Sequence, residues 1–200
     1  MPAVLDKAVK SQVHEIGSAE LNLERVITIL KERRKLALSP TAKVRILHCR
    51  AYLDQKLAAS EQLFYGINTG FGYLQNVRIN RAETTDLQYN LLQSHACGLG
   101  EEVPVEIVRL MLLFKIEALS QGYSAVQLST VERLIDFFNH DLLPIVYTQG
   151  SLGASGDLAP LSHLSLPLIG LGTLRVKGKK MPAAQVLAQF HWELIALQAK

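Results

Sequence analysis

Residues 150–160 read Gly150-Ser-Leu-Gly-Ala-Ser-Gly-Asp-Leu-Ala-Pro160, with the tripeptide Ala154-Ser155-Gly156 at their centre. Natural side chains are poor electrophiles, so electrophilic chemistry normally needs a cofactor or a metal. A backbone that cyclises on itself is another source. Gly156 offers a nitrogen without a neighbouring Cβ, Ser155 offers a hydroxyl that can leave as water, and Ala154 is small enough for the turn to close. The ordinary alternative is a Gly/Ser-rich turn before a helix.

Two further glycine-rich blocks precede this stretch. They are Phe64-Tyr-Gly-Ile-Asn-Thr-Gly-Phe-Gly72 and Gln93-Ser-His-Ala-Cys-Gly-Leu-Gly100. Taken in order with residues 150–163, the blocks resemble the aromatic amino acid ammonia-lyase family, above all its histidine ammonia-lyases. The resemblance covers essentially the whole chain and favours the cyclising tripeptide over an ordinary turn.

The resemblance implies a cofactor and a reaction. In that family the tripeptide loses two waters and becomes a methylidene-imidazolone (MIO) group, so Ala154, Ser155 and Gly156 are expected to form MIO here. The implied reaction is the non-oxidative deamination of L-histidine to urocanate and ammonia. No metal or nucleotide is expected, since no histidine or carboxylate pair shows metal-ligand spacing and no glycine loop matches a phosphate-binding motif.

Tyr65 stands directly before a segment with three glycines in seven residues, which frees the backbone to approach a ligand closely. A tyrosine acts as a general base only when its pKa of about 10 falls by about 3 units, or about 4 kcal/mol. On the residues alone a packed aromatic ring is the commoner role, but the resemblance implies the base that takes the β-proton. Asn68 and Gly72 are candidate substrate-binding residues, and a hydrogen bond within the turn is the alternative for Asn68.

Ser94 and His95 end a polar segment and precede Gly98-Leu-Gly100, a pattern typical of a helix C-terminus. A lone histidine there is ordinarily a cap or a core residue. The resemblance implies instead that both side chains contact the substrate ring. A Ser-His pair is typical of histidine lyases, although some tyrosine lyases carry it. Tyrosine or phenylalanine ammonia-lyase, or an aminomutase of the same family, therefore remains the alternative.

Asp157 and His163 follow the tripeptide within the third block. Asp157 is a candidate cap for the next helix through its carboxylate. His163 lies two turns further on and is expected to pack under the loop. Neither residue is predicted to touch the substrate.

The amino-acid composition limits the classes of partner that this protein is expected to bind. Of the 200 residues 48% are hydrophobic, enough for a core, and the net charge of +3 comes without a basic stripe. Cys49 and Cys97 make neither a disulfide framework nor a zinc pair and fit a reducing cytoplasm. No signal-like region and no run of about 18 apolar residues is found. We expect a cytoplasmic protein that binds neither nucleic acid nor membranes.

Helical periodicity dominates, so we expect a mainly α fold with short loops and at most one small hairpin, the N-terminal part of the multi-helical ammonia-lyase fold. The hairpin is predicted over residues 174–181 with its turn near Gly178. The predicted helices cover residues 18–37, 40–59, 81–93 and 104–119, a segment that starts at the capping box Ser129-Thr-Val-Glu132, residues 160–170 with a kink or end at Pro167, and a segment from Pro182 towards Trp192.

The resemblance also sets expectations for the domain and the assembly. Family members are more than twice as long, so residues 1–200 are expected to form the N-terminal portion of one lyase domain, with the prosthetic-group loop and without the C-terminal helical half. The family forms homotetramers whose active sites combine loops from different subunits. The apolar segment 104–119 suits a core or an interface. An incomplete chain with no activity by itself is the alternative of a different class.

Overall fold

The computed structural model describes residues 13–59, 62–153 and 156–199. Helices make up most of the regular structure there, which confirms the predicted mainly α fold. The α-helices are α1 (Leu23–Lys31), α2 (Pro40–Ala59), α3 (Arg81–His95), α4 (Val105–Ser120), α5 (Leu128–Asn139), α6 (Leu158–Ser165) and α7 (Ala183–Gln189). The strands are β1 (Val13–Ile16), β2 (Lys35–Leu38), β3 (Leu99–Glu102), β4 (Leu143–Pro144), β5 (Tyr147–Gln149), β6 (Thr173–Val176) and β7 (Lys179–Pro182), and short 3-10 helices cover Gly72–Leu74 and Leu166–Ile169.

The described strands form three small sheets rather than a single hairpin. β1 and β2 pair in parallel, β3 pairs antiparallel with β5, and β4, β6 and β7 form an antiparallel sheet in that order. The predicted hairpin is present as β6 and β7, with positive φ at Lys177 and Gly178 in its turn. The other strands have two to four residues, too few for alternating hydrophobicity to reveal them in the sequence.

The helix predicted over residues 18–37 was too long. α1 starts after Asn22, whose side-chain oxygen accepts from the backbone N–H of Arg25 at 2.9 Å. Arg33 then takes φ 50°, a left-handed conformation that interrupts the helix. The chain continues into β2, where pairing with β1 overrides the helical periodicity.

The other helix ends that were predicted from proline and serine residues were partly correct. Ser39 caps α2 as predicted, because its hydroxyl accepts from the N–H of Ala42 at 3.1 Å. The capping box at Ser129 was wrong, since α5 already starts at Leu128 and Gln127 in the N-cap position makes no side-chain capping bond. Pro167 ends the predicted helix as expected, because α6 gives way there to a 3-10 segment.

The core is centred on α4 and α5, which pack against each other. Burial of each large apolar side chain contributes about 1.5–3 kcal/mol relative to exposure, and these two helices supply several that are fully buried: Leu112, Leu113, Ile116, Val131 and Phe137. Within the described ranges, no helix has both the length and the apolar character that crossing a membrane requires.

Four elements at one side of this core position the candidate site. β3 follows α3 directly and pairs with β5, and α6 packs against α3. Residues 150–157 connect β5 to α6. One end of that segment is therefore attached to β5, which pairs with the strand that follows α3. The other end is attached to α6, which packs against α3 itself.

Candidate active site

The second and third glycine-rich blocks meet at Gly98 and Gly150. Leu99 pairs with Gln149 between β3 and β5, which brings the two glycines side by side. A Cβ on Gly150 would lie 2.9 Å from the Cα of Gly98 and 3.2 Å from the carbonyl oxygen of Cys97. Gly150 also has φ 126°, which L side chains rarely adopt. The close approach of the two backbones therefore requires glycine at position 150.

The segment that follows carries the predicted cyclising tripeptide. Ala154 and Ser155 lie outside the described residues. Gly156 has φ 98°, and among the described residues beyond its chain neighbours no atom lies within 4 Å of a Cβ built on it. Its carbonyl oxygen accepts from the N–H of Leu158 at 3.1 Å. Its φ is one that glycine adopts far more readily than residues with a side chain.

Asp157 occupies the N-cap position of α6, but its carboxylate makes no capping hydrogen bond. The predicted capping role for Asp157 was therefore wrong. In place of a side-chain cap, the backbone carbonyl of Gly156 accepts from Leu158 and that of Asp157 accepts from Leu161 at 3.2 Å. The start of α6 is held by backbone bonds.

His163 lies on α6 at the base of this region. Its Nε2 accepts a hydrogen bond from the backbone N–H of Gly98 at 2.9 Å. Its ring contacts the ring of Tyr147 edge to face, with centroids 5.1 Å apart and planes at 75°. Burial lowers the pKa of His163 below its ordinary value, which favours the neutral imidazole that this acceptor role requires.

Ser94 and His95 lie in the last turn of α3, which extends two residues beyond the helix predicted over residues 81–93. The Nδ1 atom of His95 is 2.8 Å from the carbonyl oxygen of Leu91, so Nδ1 carries the hydrogen and donates it. The Ser94 hydroxyl donates to the same carbonyl at 3.2 Å. Ser94 is exposed and His95 partly buried. The free ring nitrogen of a neutral His95, Nε2, is an acceptor.

Tyr65 lies in the first glycine-rich block with 62% of its surface exposed. Its phenol oxygen accepts from the backbone N–H of Gly72 at 3.3 Å. Its ring meets the edge of Phe71 at a centroid distance of 6.0 Å. Gly72 has φ 57°, and no atom of the described residues beyond its chain neighbours lies within 4 Å of a Cβ added to it, so the space on that side of Gly72 is open in the described chain.

Asn68 holds its own loop together. Its side-chain oxygen accepts from the N–H of Phe64 at 2.6 Å, and its side-chain nitrogen donates to the carbonyl of Gln62 at 2.8 Å. The buried Thr69 hydroxyl bonds within the same loop. Both ends of the Asn68 amide are used by the turn, which corresponds to the turn-forming alternative for this residue.

Contacts in the structure link the second and third blocks of predicted site residues, whereas the hydrogen bonds and ring contacts of Tyr65 stay within the first block. The segment after His95 runs through Gly98 to the contact with Gly150. In the described chain the hydrogen bonds and ring contacts of Tyr65 are with Gly72 and Phe71, inside its own loop. The second and third blocks therefore meet through direct contacts, whereas the first block does not join them by a hydrogen bond of Tyr65.

Comparison with known proteins explains the order of the three blocks. Residues 21–200 match the family model described as aromatic amino acid lyase. The chain belongs to the aromatic amino acid lyase family. The predicted resemblance is thereby confirmed.

Relatives within this family include several histidine ammonia-lyases. The one from Deinococcus radiodurans is 46% identical over 181 residues, which is 90% of this chain and 34% of that protein. The one from Myxococcus xanthus is 42% identical over 92% of this chain and 36% of its own length. The chain thus spans about a third of the length of these relatives.

Solved structures of the family share the fold. Histidine ammonia-lyase from Trypanosoma cruzi has a TM-score of 0.83 at 32% identity, with 94% of this chain and 36% of that chain covered. Phenylalanine aminomutase from Pantoea agglomerans has a TM-score of 0.85 at 27% identity, with the same coverage. The predicted ammonia-lyase fold is confirmed for the part that this chain comprises.

A cavity of about 800 Å³ lies elsewhere, between α2 and the start of α3. Its wall includes Asn68 and the ion pair of Arg50 with Asp54. Neither Tyr65, His95 nor the described residues of 150–157 line it. Among the residues that the structure describes, no group of three or more histidine, cysteine or acidic side chains is arranged to hold a metal ion.

Sequence reasoning missed Tyr147 and assigned no specific contact to His163. Tyr147 lies outside all three blocks, in a strand of three residues, and nothing in the sequence distinguishes it from other tyrosines. His163 lies inside the third block, but its partner Gly98 is 65 positions away. A pairing at that separation becomes visible only in the folded chain.

Proposed function

We propose that the complete protein that carries this sequence is an ammonia-lyase that converts L-histidine to urocanate and ammonia. The observation that carries the proposal is the segment 150–157, which starts at the close contact of Gly150 with Gly98 and contains the positive-φ Gly156. It occurs in a chain 46% identical to a histidine ammonia-lyase. Ala154, Ser155 and Gly156 would supply the MIO group.

Ring formation needs only atoms of these three residues. The nitrogen of Gly156 bonds to the carbonyl carbon of Ala154, and the carbonyl oxygen leaves as water with the amide hydrogens of Ser155 and Gly156. The Ser155 hydroxyl then leaves with its Cα hydrogen as a second water and produces an exocyclic double bond. The identity of residue 156 as glycine supports this assignment, because a β-carbon beside the attacking nitrogen would crowd its approach to the carbonyl carbon.

The MIO group, once formed, supplies an electrophilic alkene that activates the departure of ammonia. Tyr65 is the proposed base for the β-proton of the substrate. The backbone N–H of Gly72 donates to its phenol oxygen, which helps to fix the position of that oxygen. The high exposure of Tyr65 leaves its oxygen accessible to a substrate.

Ser94 and His95 are the proposed contacts to the substrate side chain. With Nδ1 of His95 donating to Leu91, the Nε2 of the neutral ring presents a lone pair. An imidazole N–H of L-histidine is a matching donor for that lone pair. Gly72 offers open space on its own side in the described chain, and Asn68 contributes by holding the loop in shape.

The relatives favour histidine over other aromatic substrates. The histidine ammonia-lyases of Deinococcus and Myxococcus are 46% and 42% identical to this chain, which supports L-histidine as the substrate. Tyrosine or phenylalanine lyase activity remains the second candidate, because a Ser-His pair also occurs in tyrosine lyases.

We also propose a homotetramer in which loops of several subunits complete each site. In the described chain the hydrogen-bond and ring partners of Tyr65 lie within its own loop, which suits a site that another subunit completes. We place the protein in the cytoplasm, since Cys49 and Cys97 are both free thiols.

The test combines intact mass with turnover. The complete protein should weigh two waters less than its sequence predicts and should release urocanate from L-histidine, whereas a Ser155→Ala variant should do neither. A full mass together with normal turnover would contradict the MIO assignment. A mass deficit with no urocanate would contradict the substrate assignment, and the 200-residue chain assayed alone decides whether it is active by itself.

A further inference from the structure

His163 connects the two ends of the segment 150–157 through Gly98. At its beginning, Gly150 packs against the backbone of Cys97 and Gly98. At its end, the chain enters α6 at Leu158, and His163 lies further along the same helix. The hydrogen bond from the N–H of Gly98 to Nε2 of His163 joins these two sides at 2.9 Å.

The imidazole is held in this position from several sides. The ring of Tyr147 on β5 contacts it edge to face. A Cβ on Gly98 would lie 2.8 Å from Nε2 of His163 and 3.2 Å from the Cβ of Tyr147, so glycine lets the backbone N–H reach the ring. The contact therefore depends on three residues, Gly98, Tyr147 and His163. Of these, Gly98 also packs against Gly150.

The imidazole accepts this bond only while it is uncharged, because a protonated ring has a hydrogen on both nitrogens. Burial lowers the pKa of His163. Tyr147 is the titratable side chain in direct ring contact with it in the described chain. His95, Cys97 and Glu101 are the titratable residues within three positions of Gly98 along the chain, and β4 and the 3-10 segment 166–169 carry none.

Ring formation within residues 154–156 is an intramolecular reaction, and its rate depends on how well the reacting groups are held before the bond forms. A segment fixed at both ends samples fewer conformations than one fixed at a single end. The contact of Gly98 with both Gly150 and His163 fixes both ends of residues 150–157. Loss of the hydrogen bond would remove the direct link between Gly98 and His163 and loosen the α6 end, which would then be held by its packing against α3 and β5.

We propose that His163 is a positioning residue for backbone cyclisation, which it promotes by holding the N–H of Gly98 and with it both ends of the segment 150–157. The proposal rests on the proposed function, since it presumes that the tripeptide cyclises. His163 acts through Gly98 and Gly150 and takes no part in the bonds that form or break.

Two substitutions at position 163 distinguish the contribution of the hydrogen-bond acceptor from that of the flat ring. His163→Gln keeps an acceptor oxygen, whereas His163→Phe keeps a flat ring against Tyr147 and removes the acceptor. The complete protein is made by cell-free synthesis, and the loss of two waters is followed by intact mass over time. We expect His163→Gln to cyclise close to the wild-type rate and His163→Phe to cyclise about tenfold or more slowly.

The same variants are compared by hydrogen exchange at the Gly98 amide in a Ser155→Ala background, where no ring forms. Protection of this amide, corrected for intrinsic exchange, should be lost in His163→Phe and kept in His163→Gln. In Ser155→Ala alone it should fall with pH below the ordinary histidine value of 6.5. This measurement still tests the proposal if His163→Phe does not fold.

Three results would overturn the proposal: wild-type cyclisation by folded His163→Phe, a His163→Gln variant as slow as His163→Phe, or Gly98 protection that does not change with pH. A wild-type protein that never loses two waters would instead contradict the proposed function. The exchange data distinguish the two failures, because they report on the contact of His163 with Gly98 without any ring.

Discussion

Gly150 lies so close to Gly98 that a Cβ on Gly150 would be 2.9 Å from the Cα of its neighbour. We therefore expect Gly150→Ala to destabilise the protein by several kcal/mol, because it combines a backbone clash with an unfavourable φ. Gly178→Ala is the matched control, since Gly178 also has positive φ (80°) but no atom within 4 Å of the added Cβ. It should cost only about 1 kcal/mol. Urea denaturation of both variants measures the difference, and equal losses would show that the close approach contributes nothing.

The second prediction concerns ring formation. Ser155→Ala removes the hydroxyl that must leave as the second water, so no exocyclic alkene can form. We expect no measurable lyase turnover in the complete protein and no mass deficit of two waters. Gly153→Ala is a less severe comparison, because Gly153 is not part of the ring and an added Cβ meets no atom within 4 Å. Near-wild-type turnover by Ser155→Ala would refute the cyclised tripeptide as the electrophile.

The third prediction concerns Tyr65. Tyr65→Phe removes the phenol oxygen that accepts from Gly72 while keeping the ring contact with Phe71. If Tyr65 takes the β-proton, kcat should fall by about 10²–10⁴ with little change in binding. Tyr73→Phe is the matched control, since Tyr73 is fully exposed in the same loop, and it should leave kcat unchanged. A change confined to KM would assign Tyr65 to substrate positioning.

The parts of this molecule that the sequence predicted are those specified locally. The serine cap of α2 and the turn at Gly178 depend on residues within a few positions of one another. The parallel pairing of β1 with β2 instead joins strands about 20 positions apart, and it turned the end of a predicted helix into a strand. Hydrophobic periodicity is a local pattern, so it could not predict that pairing with β1 would replace the end of the helix with a strand.

The candidate site, too, could be predicted from the sequence only where its features are local. Glycine density located the three blocks, because close backbone approach needs residues without a Cβ. The contacts between blocks, such as Gly98 with His163, depend on how β3, β5 and α6 pack. For Asn68 the sequence predicts a substrate contact or a hydrogen bond within the turn, and in the structure both ends of its amide are bonded to its own loop.

The fourth prediction is a loss of stability at mildly acidic pH. Burial lowers the pKa of His163, and burial together with Arg25 and Arg34 lowers that of His14. The unfolded chain therefore takes up protons near the ordinary value of 6.5 while the folded chain does not. The stabilisation is complete above that pH and decreases as pH falls below it towards the folded-state values.

Urea midpoints between about pH 5 and pH 8 measure this effect. His163→Gln should show a smaller decrease than the wild type, because one of the two groups no longer titrates. Glu117 and Asp136 have raised pKa values from burial and act in the opposite direction, but they are common to both proteins and cancel in the comparison. Identical pH profiles for the variant and the wild type would show that His163 does not contribute.

The last prediction is the choice of substrate. Ser94 and His95 end α3 with a small hydroxyl and an imidazole whose Nδ1 is committed to Leu91, so the pair has an acceptor at Nε2 and a hydroxyl for a polar partner. An N–H of the L-histidine imidazole can donate to Nε2 of His95, and its other nitrogen can accept from the Ser94 hydroxyl once that hydroxyl turns away from Leu91. A phenyl ring leaves both groups unpaired. Where the bound substrate buries these polar groups, a site built to form hydrogen bonds rejects an analogue without the partner by about 10⁴-fold or more.

We therefore expect kcat/KM of the complete protein to be highest for L-histidine and lowest for L-phenylalanine, with L-tyrosine between them because its hydroxyl offers one partner. The measurement follows urocanate, cinnamate and coumarate. His95→Leu should lose most of its activity towards histidine and narrow the gap to phenylalanine, because the unpaired acceptor is gone. Faster turnover of tyrosine than of histidine in the wild type would reverse the substrate assignment and leave the cyclised tripeptide and the role of Tyr65 untouched.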